Sequence, residues 1–103
     1  MTDKELLEAA ARAAGIDLVL DAYYGAYWHR KRPTDESGPV WNPLMDDGDA
    51  LRLAVKLGID ISKAQLDFYD KHSSDPYAAT RRAIVRAAAI GSLHNAEVKG
   101  DNT

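Results

Sequence analysis

The sequence predicts an α+β domain in which three helices pack on a small antiparallel sheet of about three strands. Three observations lead there. Three segments carry apolar residues at spacings of three and four, with capping residues at their ends. Two other segments alternate apolar and polar residues, as half-buried strands do. The order helix, strand, returning strand, helix, strand, helix offers too few strands for a doubly wound sheet, and no glycine-rich phosphate loop follows any of them.

The first helix opens on Thr2 and Glu5, the capping-box pair whose side chains satisfy free N–H groups at a helix start. Leu6, Leu7, Ala10, Ala13 and Ala14 form its apolar stripe, and Gly15 is the residue that can turn left-handed after it. The stripe is mostly alanine, which suits close approach to another element. From residue 16 the period changes. Ile16, Leu18, Leu20 and Ala22 alternate with Asp17, Val19, Asp21 and Tyr23, and "AYWHRK" after Gly25 reads as the returning strand of a hairpin. Turn formers dominate "PTDESGP" at 33–39, a loop.

A second helix begins at Asp46 or Asp47, with Asp47 the candidate N-cap, and runs to Leu57. Ala50, Leu51, Ala54, Leu57 and Gly58 fall along one stripe with Leu53 beside it, and Gly58 ends the helix. In "IDISKAQLDFYDKH" the alternation of Ile59 and Ile61 with Asp60 and Ser62 predicts the third strand, continued through Ala64, Leu66 and Phe68. The third helix starts with Ser74 or Asp75 as cap and Pro76 at the first helical position, where a missing N–H costs nothing. Its stripe is Tyr77, Thr80, Ile84, Ala87 and Gly91, flanked by Ala83, Ala88 and Ile90, with Arg81, Arg82 and Arg86 on a basic face away from it. The domain is expected to span residues 1–94, and 95–103 to form a flexible tail.

Composition narrows the function classes. The chain has 103 residues, 46% of them hydrophobic and 28% charged, as in an ordinary globular domain. A net charge of −3 argues against a general nucleic-acid coat, which relies on a basic surface. Absence of cysteine removes disulfides, thiolate zinc sites and cysteine nucleophiles together. No apolar run approaches the ~20 residues of a membrane span, and the charged, periodic N-terminus does not read as a signal peptide. The expected compartment is the cytoplasm, and no cofactor is implied.

Two clusters are candidates for function. Asp46, Asp47 and Asp49 stand before the second helix. They lack the spacing and terminal glutamate of an EF-hand loop, yet could join a two-metal carboxylate site. Against that stands helix capping, since aspartates in a first turn are stabilised by the helix dipole. The second cluster, "YYGAYWHRKR", places Tyr23, Tyr24, Tyr27 and Trp28 beside Arg30, Lys31 and Arg32, with Trp41 further on. Such residues pack sheets, serve as hot spots at protein interfaces, or stack bases and hold phosphates. His29, His72 and His94 match no metal-binding spacing, and no serine sits in a nucleophile elbow.

"WNPLMDDGDALRLAVKLGI" together with "DPYAATRRAIVRAAA" and the helix "MTDKELLEAAARAAGI" resembles a group of small accessory proteins of tailed bacteriophages and prophages, loosely similar to the NinX-type phage proteins. Residues 60–74 are the part the resemblance covers least. It implies a phage accessory product and supplies no catalytic residue. The expectation is therefore a non-enzymatic binding protein that docks on a host or phage protein and modulates or inhibits a host system such as a defence complex. A homodimer is open, whereas a membrane role is not expected and nucleic acid is disfavoured. The alternatives are a metal-dependent nuclease built on Asp46, Asp47 and Asp49, or a weak single-strand binder using Trp28 and residues 30–32.

Overall fold

The computed structural model of the chain describes residues 2–16, 18–21, 26–29 and 40–101, with the backbone alone at 19–21, 26–29, 40 and 92–101. Its four helices are α1 (Asp3–Ala14), α2 (Asp47–Leu57), α3 (Ile61–Phe68) and α4 (Pro76–Asp101). The expected α+β architecture, three helices laid on a sheet, is overturned. Helix packs on helix, and the other three helices all pack against α4. Three short strands, β1 (Leu18–Asp21), β2 (Ala26–His29) and β3 (Val40–Trp41), pair antiparallel in the order β1-β2-β3 within the link from α1 to α2. They do not provide the face on which the helices are assembled.

The sharpest correction falls on 59–68, read as a third strand and folded as α3. Asp60 caps this helix, its side chain accepting from the Lys63 N–H at 3.2 Å. Ile61, Ala64, Gln65 and Phe68 stand at i, i+3, i+4 and i+7; Ala64 is buried and the other three are half-buried. Lys63 and Asp67, four apart, form an ion pair at 3.4 Å. A strand would have buried Leu66, which is 85% exposed here. The alternation of period two already breaks at Lys63, and that break is the helical signal.

α1 and α4 form the larger part of the core. Thr2 caps α1 through the Glu5 N–H at 3.2 Å, and the Glu5 carboxylate accepts back from the Thr2 hydroxyl at 3.0 Å and its N–H at 3.4 Å. The Thr2 hydroxyl first, and its backbone second, hold the Glu5 carboxyl below its ordinary value of 4.5. Leu6, Leu7, Ala10 and Ala14 turn inward from α1, and Ala9 and Ala11 are buried as well. They meet Ile84, Val85, Ala88 and Ala89 of α4. Small side chains at both surfaces let the two helices approach closely. An Arg82–Asp3 ion pair at 2.9 Å bridges the same helices at the surface.

The inward face of α4 is rotated from the expected stripe. Ala79, Ala83, Ile84, Val85, Ala88 and Ala89 are buried, whereas Tyr77 is exposed. On α2, Ala50, Leu53 and Ala54 are buried while Leu51, assigned to the stripe, faces solvent. Gly58 ends α2 with φ 65, a left-handed conformation that glycine adopts without a Cβ clash, and its N–H returns to Ala54 and Val55 carbonyls. The chain thus reverses into α3 within three residues. The expected tail from residue 95 falls on the last turns of α4, where only the backbone is described.

Candidate functional site

The entry to α2 is built from short-range chemistry. Asn42 closes a turn by accepting at its carbonyl from the Met45 and Asp46 N–H groups, at 3.1 and 2.9 Å. Its side-chain oxygen takes the Leu44 N–H at 3.1 Å. Pro43 is fully buried in this turn, and Trp41 before it is 3% exposed, inside the core. The helix that follows is capped by Asp46, whose carboxylate accepts from the Asp49 N–H at 2.7 Å. Asp47, expected as the cap, is instead the first helical residue. The reason is that Asp46 has the extended backbone (φ −120, ψ 122) that brings its carboxylate over the first turn.

Each of the three aspartates therefore has a separate task. Asp49 is buried and ties the turn to the helix, accepting from the Asn42 N–H at 2.9 Å and from Arg52 at 2.7 Å. Arg52 also stands 3.8 Å from Asp46. Gly48 leaves room for this arrangement, since a Cβ there would lie 3.1 Å from the Asp46 carboxylate and 3.2 Å from the Arg52 guanidinium. Asp47 reaches across to α4, where Arg81 Nη1 donates to it at 2.6 Å while Arg81 Nε donates to the Leu44 carbonyl at 2.9 Å. Among the described residues no group of three or more histidines, aspartates or glutamates could hold a metal ion. The oxygens of this cluster instead meet N–H groups and guanidinium groups.

Arg81 corrects the expected solvated face of α4. Its side chain is only 14% exposed, folded between the α2 entry and α4. The sequence held a signal for this. Arg81 lies four residues after Tyr77 and three before Ile84, which puts it on the stripe itself. Arg82 pairs with Asp3 instead, and Arg86 lies near the Phe68 carbonyl at 3.5 Å.

Beside this network lies a shallow groove of about 310 Å³ between α2, α3 and α4. Ala50 and Leu51 of α2, Ile61 of α3 and Tyr77, Thr80 and Ile84 of α4 line it, together with Asp47 and Arg81. Its surface is mainly apolar. Tyr77 is 70% exposed and Leu51 55%, and Val55, one turn beyond Leu51, is 73% exposed. The polar groups of the floor are already engaged, Thr80 accepting from Gln65 Nε2 at 3.0 Å and Arg81 bonded as above.

The aromatic candidates divide. Trp41 is buried and unavailable as a surface contact. Tyr27 and Trp28 belong to β2, where they pair with Trp41 and Val40 of β3, and their side chains lie outside the described residues. Tyr23, Tyr24, Arg30 and Arg32 also lie outside the described residues. Tyr77 is an exposed aromatic that sequence reasoning missed, because its place on the 3–4 stripe assigned it to the core; Tyr69, at the end of α3, is exposed to a lesser degree.

Compared with protein-family models, curated proteins and solved structures, the chain matches none significantly. No helix among the described residues is long and apolar enough to cross a membrane.

Proposed function

We propose that this is a small accessory protein of the bacteriophage or prophage kind that works in the host cytoplasm by binding a host or phage protein, and so modulates or inhibits a host system such as a defence complex. The observation that carries the binding part is the exposed apolar groove flanked by Leu51, Val55 and Tyr77. Large apolar side chains held in water beside one another are a cost that burial against a partner removes, at roughly 25 cal/mol per Å². The phage part rests on the resemblance of the Trp-Asn-Pro turn, the "DDGDALRLAVKLG" helix and the "DPYAATRRAIVRAA" helix. Commitment of Asp46, Asp47 and Asp49 to cap, latch and ion pair leaves the nuclease alternative without a free carboxylate pair to carry it.

The test compares the tagged chain with Leu51→Glu and Tyr77→Ala in bacterial cells, using crosslinking before capture. A specific protein retained by the unaltered chain and lost by both variants is the expected result. Identical crosslinked sets from all three chains would remove the groove from the function.

A further inference from the structure

We propose a second binding site, apart from the groove, that takes a small apolar carboxylate against Arg86 on the seam between α1 and α4. It goes beyond partner binding and does not rest on it. Leu6 of α1 and Arg86, Ala89 and Ile90 of α4 line a hollow of about 200 Å³ there. Leu6 and Ala89 are buried, whereas Ile90 is 48% exposed, so the hollow is open to solvent. Its walls are aliphatic except for Arg86, whose charge is permanent. The other arginines that bridge or cap helices have carboxylates: Arg52 pairs with Asp49 at 2.7 Å, Arg81 with Asp47 at 2.6 Å and Arg82 with Asp3 at 2.9 Å. Among the described residues Arg86 is in no ion pair, and its one hydrogen bond runs from Nη1 to the Phe68 carbonyl at 3.5 Å. That contact is long, and it engages one edge of a planar fork that carries N–H donors along several. A half-buried guanidinium is therefore left with unused donors beside side chains that offer nothing polar.

Volume and charge together select the ligand. An aliphatic cavity of about 150 Å³ accepts a benzene ring, so this hollow has room for one ring or one branched alkyl group. The guanidinium fork matches the two oxygens of a carboxylate, while the apolar body lies on Leu6, Ala89 and Ile90. A phosphate fits less well. It carries about two charges at neutral pH and asks for more donors than one arginine among aliphatic side chains supplies. A neutral apolar molecule would cover Arg86 and leave its donors unmet. The selected chemistry, a carboxylate held close to one apolar group, occurs on free carboxylic acids and on the last residue of a polypeptide that ends in a large apolar side chain.

The experiment titrates the full chain with phenylacetate, phenylacetamide and acetate, followed by amide chemical shifts. Phenylacetate is expected to shift the amides of Leu6, Arg86, Ala89 and Ile90. It should bind at least about tenfold more tightly than phenylacetamide, which lacks the charge, or acetate, which lacks the ring. Arg86→Gln should lose the preference for acid over amide. Arg86→Lys should keep part of it, because lysine retains the charge without the fork. The comparison of the three ligands is made on the unaltered chain, so it decides the matter even where a variant misfolds. A short peptide ending in phenylalanine with a free carboxylate separates the two sources. Tighter binding of that peptide than of phenylacetate, at the same amides, assigns the site to a chain end, and weaker binding assigns it to a free acid; either result keeps the carboxylate site. No shift of these amides at about 10 mM phenylacetate would overturn the proposal. Equal binding of the acid and its amide, equal binding of the acid and acetate, or shifts confined to other parts of the chain would overturn it as well.

Discussion

The two sides of α2 differ in how their residues are used. At its start, Asp46, Asp49 and Arg52 are bonded to one another and to the preceding turn, and Asp47 reaches to α4, with all contacts between 2.6 and 3.8 Å. One turn on, Leu51 and Val55 project into water and are more than half exposed. A charged cluster would ordinarily draw attention as the site, and an apolar ridge would be assigned to the core. Here the charged side chains hold the structure together and the apolar ones are free to interact. The difference teaches that the saturation of a group's bonding, more than its chemical type, separates scaffold from surface.

That comparison can be broken at either side. The largest effect is expected beneath the turn, where Trp41→Ala should lower stability by about 3–5 kcal/mol in chemical denaturation, the cost of removing a buried aromatic ring. Asp49→Ala comes next. It strands the Asn42 N–H and releases Arg52, for a loss of about 1–3 kcal/mol, and Asp49→Asn should restore part of it by keeping the shape and one acceptor. Asp46→Ala removes the cap alone and should cost about 0.5–2 kcal/mol. If Asp49→Ala leaves the denaturation midpoint unchanged, the cluster is not scaffold and its carboxylates must be explained by a ligand.

On the other side, Leu51→Glu should change stability by no more than about 0.5 kcal/mol, since the side chain is exposed and glutamate suits a helix. A larger loss would mean that Leu51 contributes to the core after all. The smallest effect concerns Glu5, whose carboxyl is held below 4.5 by hydrogen bonds from Thr2. A depressed folded-state value means that the charged form stabilises the fold above the ordinary glutamate range and ceases to do so as pH falls through the lower folded value. Glu5→Gln should therefore be less stable than the unaltered chain at neutral pH, and the gap should close in acid below pH 4.5. A gap that persists in acid would assign the effect to packing rather than charge.

How much of this was legible follows from how far each interaction reaches along the chain. The cap at Thr2, the left-handed stops at Gly15 and Gly58 and the start at Pro76 involve residues a few positions apart, and the sequence carries them directly. The strand expected at 59–68 fails because a short segment with Ile61, Ala64 and Phe68 satisfies either period in part, and the Asp60 cap in front of it decides for the helix. The candidate site was legible in its acidic half only. Leu51 and Tyr77 sat on plausible core stripes, and nothing within one turn of either says that no neighbouring element covers it.

By itself, then, the sequence determined where helices α1, α2 and α4 begin, because these starts rest on hydrogen bonds made within about one helical turn. Only the tertiary structure decided that α3 is a helix, that Arg81 folds inward to Leu44 and Asp47 across 34 and more positions, and that Leu51 and Tyr77 stay exposed. The physical reason is that burial is a property of what packs against a residue, and here α1, α2 and α3 all compete for the surface of α4.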